Sequence, residues 1–136
     1  MNLRNLFRVS AVVFLFSGLL WLVAPEASVA SNGVELDPYS VYFLRLIGGY
    51  NTALAVLAFM VSGMVYSPAR RAVAISFFVL QVISVIVNLM AVFGGIVSGA
   101  WGWIGVAFNL VFIVAFGYFI FLRPEESMTP ELQPES

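Results

Sequence analysis

The fold class this sequence predicts is an all-α integral membrane protein, a four-helix bundle with both termini cytoplasmic. Three observations predict it. The chain is 62% hydrophobic and only 10% charged, with a mean hydropathy of +1.02, so its helices lack the polar face that water requires. Its apolar residues fall into four runs, each able to supply the about 20 residues of a membrane span. All six basic residues are arginine, and Arg4, Arg8, Arg70, Arg71 and Arg123 flank those runs on one side.

The first run is Leu6 to Ala24, preceded by Arg4 and Arg8 and ended by Ala24-Pro25-Glu26. Two readings of it are open. The basic start, apolar middle and small-residue tripeptide Ser28-Val29-Ala30 fit a cleavable signal peptide. Trp21, an interface-seeking residue near the end of the run, fits a retained first helix, and that reading is the one adopted. Pro25 to Pro38 follows as a loop with Ser31-Asn32-Gly33 as its turn signal and Glu26, Glu35 and Asp37 as its charges.

The second span is Tyr39 to Tyr66, and Ser67-Pro68-Ala69-Arg70-Arg71 reads as a short turn. Ala72 to Val97 is the third span, closed by the uncharged turn Ser98 to Gly102. Trp103 to Leu122 is the fourth. Arg123 stops it, and Pro124 to Ser136, with four glutamates and three prolines, reads as a disordered acidic tail. Residues 1–123 therefore form one membrane domain. Trp21, Tyr39, Tyr42, Tyr66, Trp101 and Trp103 stand at span ends, where aromatic side chains anchor at the interface.

Orientation follows from the arginines. With four spans, the N-terminus, the loop between spans two and three, and the start of the tail share one side, and they hold five of the six arginines. That side is cytoplasmic by the positive-inside rule, and the chain belongs in the cell membrane. Arg45, the sixth, lies inside the second span near its exterior end.

Residues that lipid has no use for must face protein, water or a ligand. On the second span Gly48, Asn51, Ala55, Ala58 and Ser62 form one stripe at helical spacing, a close-packing surface. On the third, Gln81, Ser84 and Asn88 share a face extended by Phe77 and Gly95. Gly102, Gly105 and Asn109 share one on the fourth, and Ser10 and Ser17 are a heptad apart on the first. A bundle with these stripes inward satisfies all of them. Gly48, Ala55, Ala58, Ser62, Gln81 and Ser84 are assigned to packing.

Arg45, Asn51, Asn88 and Asn109 are the ligand-binding candidates. At about 1.5 Å per residue, Asn51 lies about 18 Å below the exterior end of its span, Asn88 about 14 Å, and Asn109 and Arg45 about 9 Å. Carboxamides and a guanidinium gathered in the exterior half suit a carboxylate, a phosphate head group or a polar lipid. Each residue also has a purely structural reading. The asparagines serve as interhelical glue, and Arg45 snorkels to the interface or pairs with Glu35 or Asp37.

Chemistry is constrained by absences. With no cysteine and no histidine, thiolate chemistry, Cys/His zinc sites and histidine-ligated haem have no ligands, and no cofactor or metal is expected. No span carries an aspartate or glutamate, so the acid of proton-coupled transport is missing, and no serine has a base partner. The chain is expected not to be an enzyme and not to bind nucleic acid.

Leu19-Leu20-Trp21-Leu22-Val23-Ala24-Pro25, an outside loop, and then Arg45-Leu46-Ile47-Gly48-Gly49-Tyr50 together resemble small prokaryotic four-helix membrane proteins of the DoxX-like and related families. The resemblance covers mainly residues 15–60 and implies a four-span fold and, in some members, association with membrane redox complexes. The function expected is a non-enzymatic membrane protein, an accessory subunit or a lipid- or small-ligand-binding bundle. Membrane lipids and further copies or other membrane subunits are its expected partners. The alternative is a small transporter or channel acting as a homo-oligomer, since four short helices alone rarely enclose a pore.

Overall fold

The computed structural model describes residues 2–29, 36–65, 67–97 and 100–123, and every regular element among them is helical. In chain order these are α1 (Leu3–Val23), α2 (Pro25–Val29), α3 (Pro38–Gly63), α4 (Pro68–Phe93) and α5 (Ala100–Gly117), the last widening into a π-helical turn over Tyr118–Leu122. Among the described residues four segments are long and apolar enough to cross a membrane: Leu3–Val23 and Gly102–Leu122, of 21 residues each, and Pro38–Gly63 and Pro68–Phe93, of 26. The shorter pair reaches about 31 Å, the thickness of a hydrocarbon core of about 30 Å, and the longer pair about 39 Å, which tilt accommodates.

Side-chain exposure agrees with a lipid surround. Phe16, Phe59, Val111 and Val114 are each 67–71% exposed, an arrangement that costs free energy in water and nothing against acyl chains.

Several boundaries differ from the sequence expectation, each for a local reason. The loop from Pro25 contains a helix, α2: Pro25 opens it at a position that needs no N–H, and Ser28 donates through N to the Ala24 carbonyl at 3.1 Å. The Ser67–Arg71 stretch is the start of α4 rather than a turn. Ser67 caps it, accepting from the Arg70 N–H at 3.2 Å, and Pro68 takes the first helical position. Both arginines therefore sit in the first turn of the helix.

Helix α4 ends at Phe93, not Val97, and Gly95 lies beyond it rather than on its face. Gly95 has φ +71°, its N–H donates to the Val92 carbonyl at 3.2 Å, and the Ile96 N–H donates to the Ala91 carbonyl at 2.9 Å. This is a Schellman cap, whose left-handed position favours glycine. Helix α5 begins at Ala100, ahead of Trp103, and α3 ends at Gly63. Ser31–Gly33, Tyr66, Ser98–Gly99 and the tail from Pro124 lie outside the described residues.

Helix α3 opens on a complete cap. The Asp37 carboxylate accepts from the N–H groups of Tyr39 (2.8 Å) and Ser40 (3.0 Å) and from the Ser40 hydroxyl (2.9 Å), and Pro38 follows at the first helical position. The Ser40 backbone N–H, then its hydroxyl, holds the Asp37 carboxyl below its ordinary value. A depressed folded-state value means the cap stabilises fully above the unfolded carboxylate pKa of about 3.9 and is lost as pH falls through the lower folded value. Protection of the Tyr39 and Ser40 amides in hydrogen exchange should hold down to about pH 4 and decline below it. In Asp37→Asn, which caps without titrating, protection should show no such step. A step of equal size in both proteins would remove this assignment.

The chain divides into two compact units, Met1–Gly63 and Met64–Ser136, and each holds one helical hairpin. In the first, Gly18 meets Gly48 and Thr52 and Asn51 meets Ser17, so α1 and α3 run antiparallel. In the second, Gly102 meets Val92, Gly105 meets Asn88 and Gly117 meets Phe78, so α4 and α5 do the same.

Candidate functional site

The closest helix contact of the first hairpin is the crossing of Gly18 and Gly48. A Cβ built on Gly18 would stand 2.6 Å from Thr52 Oγ1, 2.8 Å from Thr52 N and 2.9 Å from the Gly48 carbonyl oxygen. One built on Gly48 would stand 2.8 Å from both the Gly18 carbonyl oxygen and Leu22 N. Backbone therefore lies on backbone, and only glycine fits on either side. Beside the crossing, Asn51 Nδ2 donates to Ser17 Oγ at 3.4 Å, a long hydrogen bond between helices. Thr52 Oγ1 instead donates within its own helix to the Gly48 carbonyl at 2.9 Å.

Toward the C-terminal end of α3, Ala55, Ala58 and Ser62 are buried, and Ser62 Oγ donates to the Phe59 carbonyl at 2.7 Å. Where Ala55 stands near Ala11 of α1, the small side chains leave an open groove of about 450 Å³, walled by Val12, Leu15, Val56 and Phe59 and reached by Arg8 at one end.

In the second hairpin the Asn88 carboxamide lies over Gly105, whose Cβ position is 3.5 Å from Asn88 Nδ2. Asn109 is one turn further along α5 on the same face and is half-buried. Gln81 is buried and Ser84 half-buried on α4. Toward the far end of this hairpin the contact becomes aromatic: Phe116 is fully buried, its ring centroid 5.8 Å from that of Phe77 and 6.4 Å from that of Phe112.

The four ligand candidates are thus distributed over both hairpins. Arg45 and Asn51 belong to the first, Asn88 and Asn109 to the second. Arg45 is exposed, seven residues beyond the first residue of α3, about 10 Å along the helix. Asp37, weighed as its counter-ion, has its carboxylate engaged in capping α3. The revised helix ends also move the depths. Asn88 lies five residues from the end of α4, about 8 Å, and Asn109 nine from the start of α5, about 14 Å.

Sequence reasoning singled out Gly48 but missed that it crosses Gly18 and Leu22 of α1, and it missed the groove. The signal was present on α1, where Ala11 and Gly18 repeat at a heptad spacing and extend a small-residue face.

Residues 1–126 match the family model described as Domain of unknown function (DUF8292). The chain belongs to that family. No curated protein and no solved structure matches it.

Proposed function

We propose that the chain is a non-enzymatic protein of the cell membrane, a four-helix bundle with both termini cytoplasmic that serves as an accessory subunit or binds a lipid or small polar ligand. The proposed binding groups, in the exterior half of the membrane, are Arg45 and Asn51 in the first hairpin and Asn88 and Asn109 in the second. One observation carries the reading. The polar groups within the four long helices are carboxamides, hydroxyls, indoles and arginine, and no carboxylate, imidazole or thiol occurs in any of them. Such groups donate and accept hydrogen bonds and hold an anion, but they provide no general base near neutral pH and no metal ligand set. Binding and assembly are what this inventory supports.

Native mass spectrometry of the full chain, released from mild detergent, tests this. The expected spectrum is a chain carrying a lipid or small ligand, or a co-purifying membrane subunit. A co-purifying redox subunit would favour the association implied by the DoxX-like resemblance. Arg45→Ala and Asn88→Leu should each reduce the retained ligand. A ligand-free homo-oligomer that carries ion or solute flux in liposomes would overturn the reading in favour of a transporter or channel.

A further inference from the structure

The groove between α1 and α3 joins two features that match one class of ligand. Its floor is Ala11 and Ala55, both buried, and its walls are Val12 and Val56, 68% and 55% exposed, with Leu15 and Phe59. Small floor residues keep the helices from filling the space between their larger neighbours, so an apolar channel of about 450 Å³ remains open. From Arg8 to Leu15 it follows α1 for about 10 Å, long enough for part of an acyl chain to lie along it.

At the N-terminal end of α1 this channel meets charge. Arg8 contributes to the lining, and Arg4 precedes it by one turn on the same face, exposed as Arg8 is. The described acids of this hairpin, Glu26 in α2 and Asp37 at the start of α3, lie at the opposite end of the antiparallel pair. Among the described residues of its hairpin no carboxylate therefore neutralises the cation at the mouth, and Arg8, five residues into a spanning helix, stands about 8 Å along it, near head-group depth.

We propose that this groove binds an anionic phospholipid, with one acyl chain against Ala11, Val12, Leu15, Ala55, Val56 and Phe59 and the phosphate on Arg8. The site is separate from the binding groups proposed above, because it uses the other end of α3 and none of those residues. Each basic residue near a charged head group multiplies lipid affinity by about five, and Arg8 is the arginine that lines the groove. The apolar channel supplies what surface electrostatics alone does not, a requirement for the chain as well as the charge.

The test is native mass spectrometry of the full-length protein in detergent supplied with equal phosphatidylglycerol and phosphatidylcholine of matched acyl chains. The wild type should retain phosphatidylglycerol over phosphatidylcholine by about five-fold. Arg8→Gln should reduce that ratio to near one, Arg8→Lys should keep it, and Arg45→Gln should leave it unchanged. Val56→Trp, which fills the groove from a well-exposed wall, should abolish the tightly held lipid while its melting temperature stays at the wild-type value. Equal retention of the two lipids by the wild type, or a preference that survives both Arg8→Gln and Val56→Trp, overturns the proposal. A disulfide-linked dimer of Val12→Cys or Val56→Cys, formed in the presence of lipid, overturns it too, since a second copy would then occupy the groove.

Discussion

Replacing Gly48 by leucine separates α1 from α3. Even one methyl group at this position would stand 2.8 Å from the Gly18 carbonyl oxygen and from Leu22 N. Neither is the tip of a flexible side chain, so no rotamer change relieves the overlap, and the helix axes must move apart. Overpacking of a well-packed core costs about 1–3 kcal/mol, and a backbone-on-backbone contact belongs at the upper end. Moving the axes also opens the Asn51–Ser17 hydrogen bond, an interaction of about 0.6–2 kcal/mol in membranes. Gly49→Ala is the internal control. Its added Cβ meets nothing within 4 Å, and alanine gains about 1 kcal/mol of helix propensity over glycine. In a detergent unfolding titration the two variants should move in opposite directions. Equal midpoints would contradict the close crossing.

Phe116→Ala should weaken the second hairpin most. The Phe116 ring is fully buried and packs against Phe77 and Phe112, so its removal leaves a cavity bordered by two other aromatic rings. In water-soluble cores this change costs about 3–5 kcal/mol. Within a bilayer the separated helices still face hydrocarbon, so the transfer part of that cost largely disappears and the lost packing and cavity remain. The expected loss is therefore about 2–3 kcal/mol, at or just below the lower limit of that range. Phe121→Ala, at a side chain 67% exposed, should change the unfolding midpoint by only a few tenths of that. If the two alanine variants unfold together, Phe116 does not hold the hairpin.

The helical content and the number of apolar spans were legible because hydrophobic composition and length decide them with little help from packing. The helix ends were less so, since each depends on a cap whose signal is one or two residues long. Ser67-Pro68 and Asp37-Pro38 both start helices, and Gly94-Gly95 stops one, yet a reading by hydropathy passes over all three. On α3 the small-residue stripe was legible from its spacing. On α1 the heptad pair Ser10 and Ser17 was legible, but their neighbours Ala11 and Gly18, at the same spacing, were passed over because alanine and glycine stand out less than serine from an apolar run. The groove could not be read at all, since it arises from what Ala11 and Ala55 fail to fill. Arg45 illustrates a different limit: its depth follows from counting residues, but its lack of a counter-ion in Asp37 depends on that carboxylate's engagement with Ser40.

Membrane orientation underlies both the proposed exterior binding groups and the Arg8 lipid site, and it is directly measurable because the chain has no cysteine. Single cysteines introduced as Asn2→Cys, Ser31→Cys, Ala69→Cys, Ser98→Cys and Ser136→Cys report one position each when cells expressing them are treated with a membrane-impermeant maleimide. Four spans with both termini cytoplasmic require labelling of Ser31→Cys and Ser98→Cys in intact cells, and of the other three only after the membrane is opened. Labelling of Asn2→Cys or Ser136→Cys in intact cells would contradict the account.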